Sequence, residues 1–202
     1  MLEGVPISPR EEKQISVADA PTLVNKSARV GISAPNPLES PVVAIMPGDS
    51  DKPRIALGAD HAGFHAKETI KKFLEQSGYS VDDVGTWSEE SVDYPDYARA
   101  VAERVLSGQD TFGIVACGTG IGVSMTANKI PGIRAALAHD SLTARLAREH
   151  NDANVLTLGG RIVGDGEAIE IVKAFLEAQF AGGRHQRRVD KINDLDQARA
   201  RK

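Results

Sequence analysis

At 202 residues the chain can hold one α/β domain of ordinary size with length to spare at its ends, and it is too short for two full domains. Its 41% hydrophobic and 26% charged content is that of an ordinary globular domain, and a net charge of -4 gives no electrostatic reason to expect nucleic acid or an anionic membrane as partner. A single cysteine excludes an intramolecular disulfide and a multi-cysteine metal site, and no apolar run reaches the length of a membrane span or signal-peptide core, so a cytoplasmic location is expected.

Residues 1–53 hold eight of the ten prolines and no aromatic residue, so they can bury little surface and cannot run as long helices. They read as a flexible extension or as an arm that packs on a neighbouring subunit through Val42–Met46. The α/β domain is expected over residues 54–183. Ile55–Gly58 is its first buried strand, and Phe64–Ser77 a helix with Ile70, Phe73 and Leu74 on one face and Gly78 as its stop. A short strand near Tyr79–Val84 and a polar loop at Gly85–Asp93 lead to a second helix, Tyr94–Ser107, with Pro95 in its first turn.

The stretch Phe112–Lys129, FGIVACGTGIGVSMTANK, organises what surrounds it. Ile114–Val115–Ala116 is an apolar run of the kind buried on both faces of a parallel sheet, and it ends in Cys117 and a turn spaced by Gly118, Gly120 and Gly122 before a helix begins. Backbone N–H groups and the positive end of a helix beside a thiol favour an anion or the thiolate, so Cys117 is a candidate nucleophile or general base; the alternative is a buried structural thiol. Known glycine-loop patterns fail here. A dinucleotide fingerprint would need glycine at Val123, a P-loop would need Gly-Lys-Ser/Thr, and a cysteine phosphatase would need arginine at Val123.

Ile133–Ala138 is the fourth strand, ending in His139–Asp140, and Asp140 caps a helix over Ser141–Glu149 whose end carries His150–Asn151–Asp152. Val155–Leu158 is the fifth strand, ending in Gly159–Gly160–Arg161, and Glu167–Phe180 is an amphipathic helix. Residues 184–202 form a basic arm with seven Lys or Arg against three Asp, and helical spacing at Val189, Ile192 and Leu195. Five strands alternating with helices predict a three-layer, doubly wound parallel sheet of the Rossmann-like kind, which binds ligands at the strands' carboxyl ends. Asp60–His61, Cys117, His139 and Gly160–Arg161 all fall there.

Gly-Ala-Asp60-His61-Ala-Gly, Gly85-Thr86-Trp87, Asp93-Tyr94-Pro95, Cys117-Gly-Thr-Gly-Ile-Gly, Ala127-Asn128-Lys129, Glu149-His150-Asn151, Gly160-Arg161 and Gly183-Arg184-His185-Gln186 together resemble type B ribose-5-phosphate isomerases over about residues 54–195. The resemblance implies aldose-ketose isomerisation of a phosphorylated sugar through a cis-enediolate, with no metal or other cofactor. Ribose 5-phosphate, of the pentose phosphate pathway, is the expected substrate. Four- and six-carbon sugar phosphates are the alternatives within the family, and a non-catalytic sugar-phosphate-binding module is the alternative outside it.

By this resemblance Cys117 moves the proton between C2 and C1, while the N–H groups of Gly118, Gly120 and Gly122 and the Thr119 hydroxyl hold the enediolate. His150 opens the sugar ring with Asp60 near the ring oxygen, Asn128 meets a sugar hydroxyl, and Asn151 joins the substrate contacts. Arg161, His61, Arg184 and Arg188 form the phosphate cluster. His61 and His65 stand four apart and could instead hold a metal, but few carboxylates surround them in sequence. His139 and Tyr94 are either site walls or core residues. The family's arm crosses a two-fold axis, so a homodimer or dimer of dimers is expected, with Arg184 and Arg188 reaching the partner's site.

Overall fold

The computed structural model describes residues 52–200, with side chains to residue 196, so nearly all of the extension expected over 1–53, including Val42–Met46, lies outside the described residues. Five strands, β1 Ile55–Ala59, β2 Val81–Asp83, β3 Phe112–Cys117, β4 Ala135–Leu137 and β5 Val155–Gly159, alternate with α1 Phe64–Gln76, α2 Tyr94–Leu106, α3 Ile121–Ala127, α4 Ser141–Asn151 and α5 Asp165–Glu177. A last helix, α6 Gln186–Ala200, follows. The strands form one sheet in the order β2-β1-β3-β5-β4, and every pairing is parallel. This is the α/β architecture expected from the alternation.

The inner strands β1 and β5 are buried at every position, as their unbroken apolar runs require. Alternation along them divides the core in two. Ile55, Leu57, Ile114, Ala116, Leu156 and Leu158 face α1, α4 and α5, where Ile70, Leu74, Ala147, Ile171 and Phe175 close over them. Ala56, Val115, Cys117 and Val155 face α2 and α3, against Ala98, Val101, Val123 and Ala127. Burying side chains of this size stabilises by about 1.5–3 kcal/mol each, most of it offset by chain entropy. Cys117 therefore enters the structure as the last core residue of β3's second face.

Helix ends follow their local chemistry. Gly78 and Gly108 take φ of +78° and +71° just past α1 and α2, and the Asp140 carboxylate accepts the Thr143 N–H at 2.7 Å to start α4. Several elements differ from expectation by two residues or more. α5 is Asp165–Glu177, starting two residues before the expected Glu167 and ending three before Phe180. α4 runs on to Asn151, because Asp152 itself adopts the left-handed conformation (φ 46°) that ends it. β4 is only Ala135–Leu137, because Arg134 leaves the ladder: its N–H donates to the Asn154 side chain at 2.8 Å and its carbonyl accepts the Asn154 N–H at 3.1 Å. The expected apolar face of α6 is split. Val189 is buried, whereas Ile192 and Leu195 are 41% and 63% exposed.

Candidate active site

Three strand-end loops meet at the carboxyl edge of the sheet. The turn after β3 is joined to the turn after β5 by Gly160 N–H donating to the Cys117 carbonyl (2.8 Å) and Arg161 N–H to the Gly118 carbonyl (3.1 Å), and Asp60 N–H donates to the Ala116 carbonyl (3.2 Å). The approach needs glycine. A Cβ on Gly63 would stand 2.5 Å from the Ala116 carbonyl carbon.

Cys117 is 4% exposed, and its Sγ accepts the Gly120 N–H at 3.1 Å. Gly120 reaches this position with φ +76°, and a Cβ there would lie 2.8 Å from the Leu158 carbonyl carbon. Thr119 is exposed at the tip, its hydroxyl accepting the Ile121 N–H at 3.3 Å, and His139 Nε2 lies 3.1 Å from the Thr119 carbonyl. The Tyr94 ring lies over Gly122, where a Cβ would come within 2.7 Å of it. His139 and Tyr94 thus both lie against the turn that follows β3. Asp60, 5% exposed, is held by Gly63 N–H donating to Oδ1 at 2.9 Å.

Beside the thiol the surface is cationic. Arg161 lies next to Gly118, whose Cβ position is 3.6 Å from the Arg161 Cδ. His61 is fixed through Nδ1, which stands 3.2 Å from Val92 N and 3.3 Å from Val92 O, and its Nε2 makes no hydrogen bond among the described residues. His61 and Arg161 line one side of a cavity of about 320 Å³.

A second cluster forms elsewhere. His150, in the last turn of α4, stacks on His185 with ring centroids 4.2 Å apart and planes 7° from parallel. Ala181 N–H donates to the Glu149 carbonyl (2.9 Å), which with the stack seats the start of the arm on the end of α4, and within the arm Arg184 Nε donates to His185 Nε2 (3.3 Å). Burial pushes the His185 pKa down, and so do the neighbouring His150, Arg184 and Arg188. Like Arg161, Arg184 and Arg188 are exposed and make no ion pair among the described residues.

The two clusters lie at opposite ends of the sheet. α4 runs antiparallel to the strands, so His150 sits near the start of β5, where Val155 pairs with Gly113, whereas Cys117 pairs with Gly159 at its other end. Four residues of strand separate those levels, roughly 13 Å at about 3.3 Å per residue. One chain thus brings together Asp60, His61, Cys117, Thr119 and Arg161, and separately His150, Arg184 and Arg188.

Asn128 belongs to neither cluster. Its Nδ2 donates to the Ser124 and Ala135 carbonyls (3.0 and 2.8 Å) and its Oδ1 accepts the Ala135 N–H (2.9 Å). This amide ends α3 and pins β4 through these bonds. Asn151 lies with Asn128, Arg134 and Ile192 around a cavity of about 220 Å³.

Sequence reasoning overlooked a buried pair that supports the Asp60 loop. Lys67 is fully buried, and its Nζ donates to both carboxylate oxygens of Asp83, at 2.9 and 2.7 Å; Lys71 adds a bond of 2.9 Å. Asp83 in turn accepts the Gly85 N–H (3.0 Å), and Gly85 and Thr86 pair with Ala59, the residue before Asp60. Burial pushes the Asp83 carboxyl up, but hydrogen bonds from Lys67, Lys71 and Gly85 outweigh it and hold its pKa below the ordinary value. A lysine four residues after a strand-end His-Ala-Gly, with an Asp closing the next strand, was the available signal.

Fold and site together define an α/β enzyme whose polar groups gather at the carboxyl ends of parallel strands. The sequence model of the ribose/galactose isomerase family matches residues 55–192, and the chain belongs to that family. It is 49% identical over 146 residues to the ribose-5-phosphate isomerase B of Escherichia coli, covering 72% of this chain and 98% of that one. It is 41% identical over 144 residues to the ribose-5-P isomerase B of Listeria innocua, covering 71% and 97%. Among solved structures it is similar to the Clostridium thermocellum ribose-5-phosphate isomerase B (TM-score 0.71, 52% identity, covering 72% of this chain and 98% of that one). It is also similar to the Mycoplasma genitalium enzyme with bound ribulose-5-phosphate (TM-score 0.68, 45% identity, covering 71% and 96%). No helix among the described residues is long and apolar enough to cross a membrane, and among the same residues no group of three or more His, Cys, Asp or Glu could hold a metal ion.

Proposed function

We propose that the chain interconverts ribose 5-phosphate and ribulose 5-phosphate, with Cys117 as the base. The observation that carries this reading is the thiol at the end of β3, beside the Gly120 N–H and followed by the Gly118 against which Arg161 lies, in a chain of this family. The Cys117 thiolate takes the proton from C2 of the open-chain aldose, and the electron pair moves through a C1–C2 enediolate to the former carbonyl oxygen. The thiol then returns the proton to C1 while the proton of the C2 hydroxyl passes to O1, leaving a carbonyl at C2 and an alcohol at C1. The Thr119 hydroxyl and the turn's N–H groups face the charge that develops on the two oxygens. Asp60 stands near the ring oxygen, and His61 and Arg161 take the phosphate.

The opposite-end placement of His150 supports a site made from two chains. In a symmetric dimer, the His150, Arg184 and Arg188 of one protomer complete the Cys117 site of the other, His150 opening the ring and the arginines closing on the phosphate. No step calls for a metal ion, so activity is expected to survive dialysis against EDTA; a loss restored by a divalent cation would overturn that. The experiment that tests the function is turnover by purified protein on a panel of four-, five- and six-carbon aldose phosphates. The five-carbon substrate is expected to give the highest kcat/KM, and a higher value on a four- or six-carbon sugar reassigns the substrate.

A further inference from the structure

The cavity of about 320 Å³ beside Arg161 is lined by His61, Ala62, His65, Glu89 and Arg161. His61 and Arg161 have a role in the reading above; His65 has none. It is the second residue of α1, its side chain is 75% exposed, and it contributes nothing to either core. Among the described residues one polar contact orients it: Nε2 lies 3.1 Å from Oδ2 of Asp165, the first residue of α5 and four residues after Arg161. Its Nδ1 makes no hydrogen bond among the described residues. The remaining charges nearby are Glu89 on the cavity wall and Glu68 one turn along α1, and Glu68 is paired with Lys67 at 2.7 Å.

A phosphate dianion placed here meets the Arg161 guanidinium but also the Glu89 carboxylate, with Asp165 beyond His65. The guanidinium alone therefore does not make the cavity cationic, and the imidazoles decide whether it attracts the anion. We propose that His65 is a further substrate-binding residue, held by Asp165 so that its second ring nitrogen donates to the substrate's phosphate alongside His61 and Arg161. This rests on reading the cavity as the phosphate end of the isomerase site. With Nε2–H given to Asp165, Nδ1 donates to the phosphate when the ring carries both protons.

The test uses the full chain and three variants: His65→Gln, His65→Arg and Asp165→Asn. Inorganic phosphate is the probe, followed by proton NMR of the histidine rings and by competitive inhibition of turnover. In wild-type protein the His65 ring signals are expected to move on adding phosphate. In His65→Gln, KM and the phosphate inhibition constant are expected to rise about tenfold, as for loss of one charge-assisted hydrogen bond, with kcat within about twofold. His65→Arg is expected to restore most of the loss, and Asp165→Asn to show a smaller rise of the same kind. An unchanged phosphate affinity in His65→Gln, with the His61 signals still responding, overturns the role of His65 and leaves the site reading standing. If no histidine signal responds to phosphate and no aldose phosphate is turned over by wild type, the site reading fails and this assignment fails with it.

Discussion

Alanine at Cys117 removes one sulfur from the end of β3 and leaves the surrounding core side chains in place, so its effect should fall on chemistry more than on folding. Isomerisation is expected to drop by a factor of about 100 or more, the usual size of a general-base contribution, while sugar-phosphate binding measured by calorimetry stays within about threefold. Near-normal turnover would remove Cys117 from its role. Gly120→Ala should act through the backbone: at φ +76° with the Leu158 carbonyl carbon 2.8 Å from the new Cβ, it should cost about 1–3 kcal/mol, read by urea denaturation. Both residues were legible in the sequence, because a tight turn after a buried strand is a local event written in glycine spacing. The bonds from Asn128 to Ala135 were not, because they depend on β4 lying beside the end of α3 in the packed sheet.

At the scale of elements, α1 and β2 are joined by the Lys67–Asp83 pair. Lys67→Met removes the partner of a carboxylate whose side chain is only 8% exposed, which for buried pairs costs about 3–5 kcal/mol. Lys71 and the Gly85 N–H stay on Asp83, so a value near the low end is expected from urea denaturation. The same pair predicts acid sensitivity. A carboxyl whose folded pKa lies below its unfolded one stabilises fully above the unfolded value and loses that contribution as pH falls through the folded value. Stability measured from pH 6 downward should therefore fall less steeply in Asp83→Asn than in wild type below about pH 4, the ordinary carboxylate range. Periodicity located the elements within a few residues. It could not show that Asp83 points at Lys67, nor that Asp152 would end α4 without a glycine, since both depend on side chains brought together only by the packed sheet.

For the whole molecule, the alternation of strands and helices made a parallel sheet legible, but the order β2-β1-β3-β5-β4 was not, because several orders satisfy the same alternation. With the order comes the separation of His150 from Cys117, and a test of sharing between chains. Cys117→Ala and His150→Asn chains, each inactive alone, are mixed under conditions that allow subunit exchange. In a mixed dimer one site pairs an intact Cys117 with an intact His150 from the other chain, so activity should return toward half of wild type per mixed dimer. No recovery, with mixed dimers demonstrated by mass spectrometry, would place both residues in the service of one chain's own site.

The distance between the two clusters also determines how the rate should depend on dilution. If a working centre needs the upper edge of one sheet and the lower edge of another, the reaction is first order in protein only while chains stay associated. Below the dissociation constant it should become second order, specific activity should fall in proportion to concentration, and saturating substrate should delay the fall by bridging the halves.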